Sequence, residues 1–228
     1  MENESRGAEE PVWRWLIVSA VMTLCAYCLI LYRVETSGNR FYAFLTWNLF
    51  LAWLPFLFAI GLRHVRLSWK GAASRGLTIP LALLWLLFYP NASYVITDFI
   101  HFTYWKDGTS AWFDLLLLTL CAWNGLMLGH FSLYLLQDLV CRAKGAVTGW
   151  GFAVLGLLLG GIGVYVGRFL RWNSWDALLD PGKLLGDLSR IGTDDPVFFV
   201  SLFTLVTGTT YAVTYVLIGK PATPRSSG

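Results

Sequence analysis

Six apolar stretches, near residues 13–32, 41–62, 77–97, 112–136, 147–167 and 197–218, decide what this chain can fold into. In helical form each is close to the roughly 20 residues needed to cross the hydrocarbon core of a bilayer. Their interiors carry no Lys, Arg, Asp or Glu, and His130 is their only readily ionisable group. Only 14% of the 228 residues are charged, where a soluble domain has about 25%. Little chain remains for a separate soluble domain. The expected fold is all-α, a polytopic transmembrane bundle of six helices over residues 13–218, with short tails at 1–12 and 219–228.

The opening "MENESRGAEEP" is acidic, and the run after it exceeds the h-region of a signal peptide, about 7–15 residues, so it is expected to stay as the first span. Ten Lys and Arg fall on one side of the six-span arrangement and seven on the other, four of the seven in the long 168–196 connection. The richer side holds both termini, which places them in the cytoplasm and the chain in the inner (plasma) membrane, among membrane lipids. The net charge of +3 is that bias, and no basic run suggests a nucleic-acid partner. "CAYC" puts Cys25 and Cys28 inside the first span, where small apolar packing fits better than redox chemistry.

"FYPNASYVITDFIHF" crowds polar groups into the outer half of the third span. Pro90 lacks an amide hydrogen and crowds the carbonyl four residues back, so a kink or break is expected there, with Asn91 and Ser93 as local partners. Capping by Thr97 or Asp98 accounts for more of the motif but leaves the imidazole of His101 unexplained. Asn48, Asn91 and Asn124 lie in three different spans and are read as one polar cluster or as separate interhelical amide bonds.

The fifth span carries Gly156, Gly160, Gly163 and Gly167 on one stripe, which lets backbones approach and makes this helix central. It emerges with Arg168 and Arg171 one turn apart, placed to grip one phosphate or carboxylate or to pair with Asp98 or Asp176. In the connection that follows, Leu184, Leu185, Leu188 and Ile191 form the apolar face of an outer interfacial amphipathic helix.

Asp98 and His101 at i, i+3 share a face, and Asp114 opens the fourth span on the same side. One histidine among scattered aspartates falls short of a zinc signature, so no metal site is assigned, and the sequence names no cofactor.

Two blocks give the chain a family likeness. Pro90, Asn91, Tyr94, Thr97, Asp98 and His101, then Gly167, Arg168, Phe169, Arg171, Asn173, Ser174, Trp175 and Asp176, resemble the signature of a bacterial membrane-protein family, domain of unknown function 1361. The resemblance covers most of the spans. It implies a multi-pass membrane protein and brings no activity with it.

Chemistry supplies three readings. The first is a membrane-embedded enzyme at the outer interface, with His101 as general base or metal ligand and Asp98 orienting it. Arg168, Arg171, Asn173, Asp176, Asn91, Tyr94 and Thr97 would then bind an anionic headgroup or small-molecule ligand. The second is a transporter or channel opened by the break at Pro90. The third is a non-catalytic assembly or binding subunit.

Overall fold

The computed structural model describes residues 12–69, 71–104, 110–172, 182 and 196–218. Its long helices are α1 (Val12–Ser37), α2 (Phe44–Ser68), α3 (Gly71–Tyr94), α4 (Ala111–Lys144), α5 (Ala146–Arg168) and α6 (Pro196–Ile218). A 3-10 turn, Phe41–Ala43, leads into α2, and a longer 3-10 segment, Val95–Tyr104, continues α3. All six spans are long and apolar enough to cross a membrane, and among the described residues there is no strand. The protein is a multi-pass α-helical membrane protein. The expected interfacial helix, with Leu184, Leu185, Leu188 and Ile191, lies outside the described residues.

Helices in lipid are apolar all round, so burial rather than polarity marks the inward face. On α2, Leu45, Leu49, Ala52, Phe56 and Ala59 recur every three or four residues and are buried, while Trp47, Phe50 and Leu57 point outward. Cys25 and Cys28 also point outward from α1, toward lipid, and do not pack in the bundle.

The hub is α4, not α5. Half of the most apolar window of α4 is buried inside the protein, against 17 to 39% for the other spans. It packs against all five other long helices, whereas α5 touches α3, α4 and α6. Small residues explain the position: a Cβ added at Gly125 would sit 2.5 Å from the Ala92 carbonyl oxygen, so α3 crosses α4 at nearly backbone contact. Gly145, at φ +88°, is the sole residue between α4 and α5 and accepts a backbone conformation that L side chains avoid.

The glycine stripe of α5 serves α3. Gly160 faces the Tyr89 ring, Gly163 faces Pro90 and Gly167 faces the Tyr94 ring. This contact accounts for the unbroken course of α3 through Pro90 to Tyr94, where the sequence suggests a kink or break. The pyrrolidine ring enters the space left by Gly163, and the departure from α geometry is delayed until Val95, where the chain tightens into 3-10 form. A Cβ at residue 163 would lie 2.3 Å from Pro90 Cγ, a rigid ring atom that cannot swing away. Gly163→Ala is therefore expected to cost about 1–3 kcal/mol in overpacking. At Gly151 nothing lies within 4 Å of an added Cβ, so Gly151→Ala gains helix propensity instead, about 0.5–1 kcal/mol. Thermal unfolding of the two variants in detergent checks the contrast.

Candidate functional site

The 3-10 segment brings the polar motif into register. With about three residues per turn, side chains at i and i+3 eclipse, so Asp98 and His101 stack on one side. Thr97 Oγ1 closes the junction by donating to the Tyr94 carbonyl at 2.6 Å.

Arg168, the last residue of α5, reaches this face from the opposite helix. Its Nε donates to Thr97 Oγ1 at 2.8 Å, its Nη2 donates to Asp98 Oδ1, and its Nη1 lies 3.4 Å from His101 Nε2. The guanidinium carbon stands 4.4 Å from the centre of the Tyr94 ring, a cation–π contact. Gly167 is the enabling neighbour, since its missing side chain lets the Tyr94 ring lie against α5 beneath the arginine. A cation in the last helical turn is also favoured by the helix dipole.

Asp98 is 1% exposed, and both its oxygens are engaged: Oδ1 by Arg168, Oδ2 by Asn48 Nδ2 at 2.8 Å. Arg168 thus links Asp98 and His101: its Nη2 is held by Asp98 and its Nη1 faces His101 Nε2. An arginine nitrogen can only donate, so His101 Nε2 serves as acceptor in this contact. Phe41 and Phe44 flank the imidazole, with ring centres 5.7 and 5.0 Å away.

A second buried ion pair stands beside the first. Arg33, near the end of α1, grips Asp114, in the first turn of α4, through Nε to Oδ1 at 2.7 Å and Nη2 to Oδ2 at 3.2 Å. The two side chains are 3% and 0% exposed. The Tyr42 ring lies 5.3 Å from the Arg33 guanidinium carbon, and its hydroxyl donates to the His101 carbonyl at 3.5 Å, which ties the two pairs together.

These contacts sort the expected site residues. Tyr94, Thr97, Asp98, His101 and Arg168 come together. Asn48 joins them, although its sequence position suggested only an amide among other amides. Asp114 stands apart in its pair with Arg33, whose place in the sequence, just past an apolar run, reads as a loop charge. Asn91 is half-buried about two helical turns from Asp98 along α3.

Arg171 does not follow Arg168 along one helical face, because α5 ends first. Phe169 caps it, the Trp172 amide closes back on the Val166 carbonyl at 3.3 Å, and Arg171 takes φ 57° in the left-handed region. Its side chain is exposed and forms no ion pair with a described residue. Asn173 and Asp176 lie outside the described residues, as do Ser174 and Trp175.

Asn124 also goes elsewhere. Its Nδ2 donates to Thr23 Oγ1 at 2.7 Å, and Trp53 Nε1 donates to the same oxygen at 2.9 Å. Asn48 and Asn124 therefore belong to different networks. Among the described residues, no group of three or more His, Cys, Asp and Glu is placed to hold a metal ion.

Fold and site together define a class: a multi-pass helical membrane protein with a buried ion-pair cluster where its third and fifth spans meet. The chain belongs to the family described as "Protein of unknown function (DUF1361)", whose profile matches residues 47–210. That range holds Asn48 and every other member of the Asp98–Arg168 cluster, whereas Arg33 and Tyr42 precede it. No curated protein and no solved structure matches the chain.

Proposed function

We propose that this protein is a membrane-embedded enzyme acting on an anionic or lipid-linked group at the outer face of the inner (plasma) membrane, with both termini in the cytoplasm. One observation carries the reading: Arg168 Nη1 stands 3.4 Å from His101 Nε2, so a proton acceptor and an anion-attracting cation share one partly open position. Arg168 is 14% exposed while Asp98 beneath it is 1% exposed, an arrangement that presents the guanidinium and buries its counter-ion. His101 acts as general base in a hydrolytic or transfer reaction. Arg168 holds the anion through the N–H groups that Thr97 and Asp98 leave over, and Asp98 keeps Arg168 in place. Tyr94 supports the guanidinium from its ring face, while Arg171, Asn173, Asp176 and Asn91 are the further contacts proposed for the ligand.

A specific observation favours a second reading, a non-catalytic assembly subunit. Both Asp98 oxygens and all three Arg168 nitrogens already have partners inside the chain, as in a latch that fixes α3 to α5.

The deciding experiment incubates the purified protein with a bacterial membrane lipid extract and follows the lipid-linked species by mass spectrometry. Wild type is expected to convert one species, and His101→Ala to do so about 10²–10⁴-fold more slowly at unchanged melting temperature. Equal profiles for wild type and His101→Ala sink the enzyme reading. A partner protein recovered with wild type and lost with His101→Ala then establishes the assembly role.

A further inference from the structure

At the end of the bundle opposite Asp98, α2 carries an arginine that forms no ion pair with a described residue. Ala52, Phe56 and Ala59 form an inward stripe at 0% exposure, and Arg63 continues it by one turn at 7% exposure. Its Nη1 is buried without a hydrogen-bond partner, and the guanidinium enters no ion pair with a described residue. A buried cation left uncompensated is strongly unfavourable, whether in a protein interior or at bilayer depth. Among the described residues no carboxylate supplies the counter-charge.

Depth and surroundings identify it. Arg63 lies five residues before the end of α2 at Ser68, about 8 Å along the axis, which is the level of lipid headgroups. At this end, Arg14 on α1, His64 and Arg66 on α2, and Lys144 on α4 are exposed. Asp138 is the one described carboxylate there, and Arg142 holds it through Nε at 2.9 Å to both oxygens. Cations therefore outnumber the single, already paired anion. Arg66 follows Arg63 by three residues in the last turn of α2, so the two project from neighbouring positions on one side.

We infer that Arg63, with Arg66 as its second cation, forms a phosphate-binding site at this end of the bundle, filled by the headgroup of an anionic phospholipid or by free phosphate. A guanidinium presents paired N–H donors that match two phosphate oxygens, and the headgroup plane supplies such groups at high local concentration. The site is independent of the Asp98–Arg168 cluster. Asn48, which binds Asp98, is 15 residues and about 22 Å away along α2.

The test places the full chain in nanodiscs of phosphatidylcholine, with and without phosphatidylglycerol, and in lipid-free detergent with and without inorganic phosphate. Phosphatidylglycerol is expected to raise the wild-type melting temperature by about 5 °C over phosphatidylcholine alone and to be retained in native mass spectra. Arg63→Gln should lose both effects. Arg40→Gln, which removes an exposed cation at the other end, should keep them. A phosphate-dependent rise in detergent, absent from Arg63→Gln, assigns the site to the free anion. A rise confined to phosphatidylglycerol assigns it to the headgroup. Wild type indifferent to both probes overturns the site, as does an Arg63→Gln that keeps the wild-type response. Should Arg63→Gln fail to fold, Arg63→Lys takes its place. It must reduce lipid retention, because a point charge cannot reproduce the bidentate fork.

Discussion

Asp114→Ala is expected to destabilise the bundle by about 3–5 kcal/mol, because it leaves Arg33 charged, buried and without the carboxylate that pairs with it. At 3% and 0% exposure neither side chain reaches solvent, so water cannot take over from the lost partner. The attraction within the pair does not set the size of the effect. Taking both charges out of water already costs most of what the pair returns, and the loss on single substitution is that cost laid bare. Replacing both partners with apolar side chains of similar volume should accordingly restore most of the stability. The combination Arg33→Met with Asp114→Leu is predicted to fall within about 1–2 kcal/mol of wild type. A double-mutant cycle on Arg33→Met, Asp114→Leu and their combination measures this, with unfolding followed by tryptophan fluorescence in detergent. Single variants within 1 kcal/mol of wild type would show that water penetrates between α1 and α4 and that the pair is not sealed.

This pair also shows where the sequence stops being informative. Hydropathy locates all six spans, because helix length in a bilayer is set by hydrocarbon thickness. Hydropathy does not say how far a helix runs past its apolar core. The first run ends near residue 32, but α1 continues to Ser37, and the extra turn turns Arg33 from a loop charge into a buried one. An error of the opposite sign affects Arg168 and Arg171. Their spacing implies one face only if the helix continues, and α5 stops at Arg168.

Rotation about the helix axis is the other missing quantity. A span that is apolar all round gives no sequence signal for which side faces its neighbours. The glycine stripe of α5 did signal close packing, and that contact exists, but glycines alone could not show that α4 would be the hub. Pro90 teaches the same point, since its effect on α3 depends on Gly163 in another helix. The polar residues of the third span were more legible. Buried polar groups in an apolar run need partners, and the sequence offers few, so Arg168 is a candidate partner for Asp98 in the sequence alone, with Asp176 or an anionic ligand as the alternatives. Asn48 completes that match from α2.

Asp98→Ala is the second large effect, again about 3–5 kcal/mol. The substitution strands the Arg168 guanidinium and also leaves Asn48 Nδ2 without its acceptor, so two half-buried donors lose partners at once. Stability alone does not discriminate, because both readings need the pair to hold α3 on α5. The apolar combination Asp98→Leu with Arg168→Met does discriminate. It removes both charges while filling their volume, and its stability should return to within about 2 kcal/mol of wild type. Under the enzyme reading such a protein folds, leaves His101 without its facing cation and converts no lipid-linked species, since nothing remains to hold the anion. A latch, by contrast, requires only that the two helices stay together, so the same folded variant would keep its full effect on any partner. Recovery of stability without recovery of turnover assigns the charges to chemistry, and recovery of stability together with partner binding assigns them to architecture.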